Sequence, residues 1–106
     1  MARVDFDTYM YSVYTRRYDT TSNAAAIHLY NGSALVGSLY FNYDAARANR
    51  DPVQSGSRVV LYYHMSMLDT IVDMLRNEDS VYLFYNIDAK LGYLNTGREE
   101  VGEEES

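Results

Sequence analysis

Only one segment of this chain carries a convincing helical period. In SMLDTIVDMLRNED, Leu68, Ile71, Val72 and Leu75 fall at i, i+3, i+4 and i+7, a single apolar stripe. Ser66 is the expected N-cap, with Asp69 three residues on in the capping-box position. Asp69 and Asp73 lie toward the positive helix start, and Arg76 lies near its end. Everything else that is apolar reads as strand. Runs of strands with a single helix predict an α+β domain: a mainly antiparallel sheet of about five or six strands, with one amphipathic helix packed on one face.

The strands can be placed from composition and turn chemistry. VDFDTYMYSVYTRRY, residues 4–18, is dense in β-branched and aromatic side chains but does not alternate cleanly. Val4 and Phe6 share one parity, while Tyr9, Tyr11 and Val13 share the other. Either a bulge near Thr8 flips the faces, or both faces are partly covered. In AAIHLYNGSALVGSLYF, Asn31-Gly32 between two apolar runs marks a hairpin. A three-residue loop, Tyr30-Asn31-Gly32, with Gly32 left-handed in a bulge, gathers Ile27, Leu29, Leu35, Leu39 and Phe41 on one face. DAARANRDPVQSGS, residues 44–57, reads as a loop whose start forms one helical turn. RVVLYYH is the next strand. After the helix, SVYLFYNI alternates, and a turn at DAKL returns the chain through LGYLN.

Charge and composition discard several functions. The chain has 106 residues, room for one domain, and 47% apolar residues supply a core. Cysteine is absent, which removes disulfides, thiolate catalysis and cysteine zinc sites. No apolar run is long enough to span a membrane, and MARVDFDTYM carries acids where a signal peptide needs an apolar stretch. A cytoplasmic protein is the simplest expectation. The net charge is −6, but Arg98 and the five glutamates that follow account for −4 of it, leaving −2 on the body. Acidity is therefore local to the end of the chain, which argues against a mimic of the evenly charged DNA backbone. We expect a single domain over residues 1–98 and an acidic tail, 99–106, that is partly disordered: TGREE ordered against the domain, GEEES frayed.

Catalytic patterns are lacking. His28 and His64 sit in no ligand spacing, and neither a P-loop, a dinucleotide fingerprint nor a nucleophile elbow is present. Asp69 and Asp73 lie off the apolar stripe and read as a solvated helix face rather than an acid–base pair. Neither a metal nor a cofactor is expected. Tyrosine stands out instead: 12 Tyr against 3 Phe and no Trp. Phenylalanine fills a core equally well, so tyrosine points to rings whose hydroxyls meet water or a partner. The bland reading is the rim of an incompletely covered sheet. The sharper one is a binding face of rigid rings with low entropy cost. Stacked nucleic-acid bases would need a positive field, and Arg16, Arg17, Arg47, Arg50 and Arg58 stand against a negative body, so nucleic acid is not the expected partner.

The C-terminal half carries a likeness. YYHMSMLDTIVDMLRNEDSVYLFYN, then LGYLNTGREEVGEEE, resembles a group of small uncharacterised bacterial proteins of about this length. In that group a leucine-rich helix ends in Leu-Arg-Asn-Glu and the chain closes near Glu-Pro-Val-Gly-Glu-Gly-Glu. Leu75-Arg76-Asn77-Glu78 matches, as does the stretch from Glu99 to Glu105, with Glu100 and Glu104 replacing the proline and glycine. The resemblance implies a single α+β domain and brings no active site with it.

Taken together, the residues point to a non-enzymatic interaction module. It binds another protein through tyrosine-rich sheet surface, with Tyr9, Tyr11, Tyr14, Tyr40, Tyr62 and Tyr82 as partner-binding residues. Small acidic tyrosine-rich chains occur among phage-encoded inhibitors of bacterial defence, anti-CRISPR proteins included, and that is the specific form expected. TYMYSVYT is long and uncharged, so at a sheet edge it would pair with a copy of itself as a homodimer, burying Tyr9, Tyr11 and Val13. The alternative is a small-molecule or metal-dependent enzyme using His28, His64 and nearby carboxylates.

Overall fold

Strand segments this short cannot bury an apolar face alone, and the chain solves this by building two sheets against one core. The computed structural model describes residues 2–14, 23–78 and 80–97. In order come β1 (Ala2–Asp5), β2 (Thr8–Val13), β3 (Ala25–Asn31), β4 (Ala34–Asn42), α1 (Ala45–Ala48), β5 (Val53–Ser55) and β6 (Arg58–His64). A 3₁₀ turn (Met65–Met67) then leads into α2 (Leu68–Asn77), β7 (Val81–Asn86) and β8 (Leu91–Thr96). The larger sheet has the order β2-β3-β4-β6-β5 and the smaller β1-β7-β8. Every pair is antiparallel except β4 with β6, which the α1–β5 crossover makes parallel. The protein is thus an α+β domain dominated by antiparallel pairing.

The two sheets and α2 close on one apolar layer. Ile27, Leu29, Leu39, Phe41 and Leu83 are wholly buried, joined by Val59, Leu61, Leu68 and Ile71. Val72 and Leu75 pack half-buried against that layer, so the helical stripe lies on the sheet as its spacing predicts. Gly92 of β8 sits where the sheets meet: a Cβ there would collide with the side chain of Leu61 and press on Pro52. Only the missing side chain lets β8 approach β6 this closely. Among the described residues, no helix is long and apolar enough to cross a membrane.

Four local expectations change. The mixed parity of residues 4–13 comes from neither a bulge at Thr8 nor cover on both faces of one strand. The chain breaks at Phe6-Asp7 and passes from the small sheet to the large one, so Val4 and Tyr9 reach the same core from different sheets. Asp7 holds that corner by accepting the Gly32 N–H on its carboxylate (3.2 and 3.3 Å), while Asn31 donates to the Asp5 carbonyl (3.3 Å). The hairpin forms where Asn-Gly places it, but with a two-residue turn at Gly32-Ser33, Asn31 facing Ala34. Gly32 does take a positive φ, +62°, the first central position of a type II′ turn. The bulge lies further along, with Leu29 opposite Gly37 and Tyr30 opposite Leu35. Val36 is the extra residue and packs on the core, so Leu35 leaves the face it was expected to share with Leu39 and Phe41.

The third change is in the loop between β4 and β6. Asp44 caps the predicted helical turn, accepting from Ala46 N–H at 3.2 Å, but Val53–Ser55 forms a further strand. The last concerns the helix cap. Ser66 lies inside the 3₁₀ turn, and His64 caps it instead: Nδ1 accepts the Ser66 N–H at 3.1 Å while Nε2 meets the Tyr43 carbonyl at 3.2 Å. Both contacts are satisfied by the tautomer with its proton on Nε2. The expected strand end at residues 15–18 and the acidic tail from residue 98 onward lie outside the described residues.

Candidate protein-interaction surface

β2 is an edge strand, because β3 is its sole neighbour among the described residues. Which of its backbone groups face outward follows from one hydrogen bond. Tyr14 N–H donates to the Ala24 carbonyl at 2.9 Å, in line with the register that sets Ser12 opposite Ala26 and Met10 opposite His28. In an antiparallel ladder only alternate residues bond a given neighbour, so Met10 and Ser12 point their N–H and C=O at β3. Tyr9, Tyr11 and Val13 therefore turn theirs outward.

Side chains of the same three residues point to the core side of the sheet. Tyr9 packs against the core, but Tyr11 (45% exposed) and Val13 (50%) extend past its cover. Between them and α2 lies an open groove of about 450 Å³, walled by Leu68, Asp69, Val72, Asp73 and Arg76. A smaller one, about 110 Å³, continues past Tyr9 to Leu75 and Glu78. These linings fix the direction of α2. Its start lies over Val13 and its end over Thr8, antiparallel to β2.

Helix positions 69, 72, 73 and 76 form a second stripe, offset from the core stripe by about 100° per residue step. Asp69 and Asp73 lie off the apolar stripe, as their spacing indicates, but they line a concave wall rather than an open face. Asn77 donates to the Asp73 carboxylate at 2.6 Å, fixing it within that wall. Val72 and Arg76 were not singled out from the sequence as partner-binding, whereas Val13 was, as part of the expected homodimer face. The i, i+3, i+4, i+7 spacing of the second stripe was the available signal.

The six tyrosines expected to bind a partner do not form one surface. Tyr9, Tyr11 and Tyr14 belong to the β2 edge, with Tyr14 40% exposed just beyond it. Tyr40 and Tyr62 stand on the opposite face of the large sheet, ring centroids 6.1 Å apart. There His28 meets the Tyr40 ring edge-on and Arg50 lies over Tyr62 at 4.5 Å. Tyr82 is on the outer face of the small sheet, under the Arg3 guanidinium at 3.9 Å and bonded to Asn95 at 3.0 Å. On that face Phe84 and Tyr93 also stack, at 5.5 Å. Tyr63, by contrast, is inside, stacked on Phe41; burial raises its pKa above 10.0, with a hydrogen bond to the Leu94 backbone pulling the other way.

The histidines do not converge. His28 faces Ser38 and bonds its hydroxyl at 3.0 Å, whereas His64 faces Asn42 from the other side of β4. That separates them by about 13 Å along the strands and about 10 Å across. Asp69 and Asp73 lie across the sheet from His28, on the helix side. Among the described residues, no group of three or more His, Cys, Asp or Glu is placed to hold a metal. Compared with known proteins, the chain matches no family model, no curated protein and no solved structure.

Proposed function

We propose that the protein is a non-enzymatic interaction module that engages other protein chains by strand addition at the β2 edge. The observation that carries this is the row of outward backbone groups on Tyr9, Tyr11 and Val13, beside a groove walled by α2. An added strand satisfies the backbone groups, and the groove receives its alternate side chains, which is how edge recognition combines affinity with specificity. Tyr9, Tyr11 and Tyr14 supply the rings; Tyr40, Tyr62 and Tyr82 are separate surfaces outside this reading. The test is capture from bacterial lysate on immobilised protein, against a Tyr9/Tyr11→Ala control. A saturable partner lost in the control supports the module. A partner retained by the control contradicts it.

The specific form we propose is an inhibitor of a bacterial defence system, of the anti-CRISPR kind. Small size, the acidic chain end and the tyrosine excess support it. Its test is phage plating on cells with an active CRISPR–Cas system. Co-expression of the protein restores plaques if the proposal holds, and undiminished interference across system types overturns it.

A further inference from the structure

Resting on the β2 reading, we infer that the strand added at this edge is β2 of a second copy of the chain, paired antiparallel about a two-fold axis through Tyr11. The backbone register selects this arrangement. Centred on Tyr11, the pairing sets Tyr11 opposite its own copy and Tyr9 opposite Val13, so each outward residue exchanges both groups with its opposite. Among the described residues, any shifted antiparallel register leaves outward groups on one of the three without a partner. β2 also carries no charge, so two copies meet there without the repulsion that a net −6 per chain otherwise imposes.

The helix wall gives the second, independent match. α2 runs antiparallel to β2, with Asp69 near the Val13 end and Arg76 toward the Thr8 end. A two-fold axis through Tyr11 reverses the copy, so the start of one α2 faces the end of the other across a shared groove. Asp69 of each copy then confronts Arg76 of its mate, twice over by symmetry, while Asp73 lies near the axis beside its own copy. The helix dipoles also oppose favourably in this antiparallel arrangement. Tyr11 and Val13, now exposed, fill the floor of the joined groove from both sides. A foreign strand finds the same backbone, but the self-complementary charge order of α2 singles out the copy.

Charge exchange tests the pairing without touching either core. Sedimentation equilibrium at micromolar concentration should show a dimer for the native chain. Arg76→Glu alone sets acid against acid, and Asp69→Lys/Asp73→Lys alone sets base against base. Each should weaken the dimer by roughly tenfold. Mixed in equal amounts, the two variants face each other with opposite charges at both contacts, and the dimer should return. Thermal melts of the variants confirm folding, since all three positions are exposed. A native dimer indifferent to both variants overturns the inference. So does a native monomer, which leaves the edge open to a foreign strand and the module reading to be judged by lysate capture.

Discussion

The large sheet ends in two edges, and they are built in opposite ways. β5, at one end, has three exposed residues; it follows Pro52 and folds back on β6 through a glycine turn. Short length and a flanking proline are the ordinary means of making an edge useless as a template. Pro52 also lies against Gly92 of the small sheet, so the chain arrives at β5 already pinned. β2, at the other end, has six residues, no charge and no proline, and its outward backbone groups stand beside a concave helix wall. Among the described residues, one edge is protected and the other has no strand beyond it.

The largest effect should come from removing what both ends share. Ile71 is buried where α2 meets the sheet, and Ile71→Ala should cost about 2–5 kcal/mol, which a melting curve will show as a sharp fall or loss of folding. A near-unchanged melt would mean that α2 is not fixed to the sheet and cannot wall the groove. Next is the β5 end alone. Gly92→Val forces a branched side chain into Leu61 and Pro52, and overpacking of this kind typically costs about 1–3 kcal/mol. The same change should leave assembly at β2 intact in whatever fraction remains folded, as light scattering can show.

Much of this architecture is legible in the sequence, because periods of 3.6 and 2 are local properties of the chain. The α2 stripe, the β6 strand and the β7–β8 hairpin all follow from side-chain spacing. What is not legible is set by contacts between distant segments. The break at Phe6-Asp7 has no glycine or proline to announce it; it exists because Asp7 takes the Gly32 N–H from a hairpin 25 residues away. The bulge at Val36 changes parity within a run whose residues are apolar on both sides. β5 is too short to show alternation. For the site, Tyr9 and Tyr11 could be read as uncharged ring positions on a long strand. Their separation from Tyr40, Tyr62 and Tyr82 depends on sheet register, and the role of Asp69, Asp73 and Arg76 on where α2 lies across β2.

Alkaline pH should act on the core beside the protected edge. Tyr63 has a folded pKa raised above its unfolded value of about 10, so its neutral form favours the fold. That contribution is complete below pH ~10 and is lost as pH climbs through the higher folded value. Tyr63→Phe should therefore flatten the alkaline limb of a stability–pH profile; an unaltered limb would place the titrating group elsewhere. The smallest effect on stability should come from Tyr11→Pro. Its N–H points away from β3, so proline removes no ladder bond, and the melting point should move little, within about 1 kcal/mol. The same substitution should abolish assembly, and a dimer that survives it would move the interface off β2.

Amide hydrogen exchange along β2 tests the central claim most directly, because neighbouring residues serve as their own controls. Met10 and Ser12 bond β3 and should be protected at every protein concentration. Tyr9, Tyr11 and Val13 should exchange fast in dilute solution and become protected as concentration rises, as the second β2 closes on them. Fast exchange of those three amides at all concentrations would contradict the account, as would equal protection of all five in a monomer.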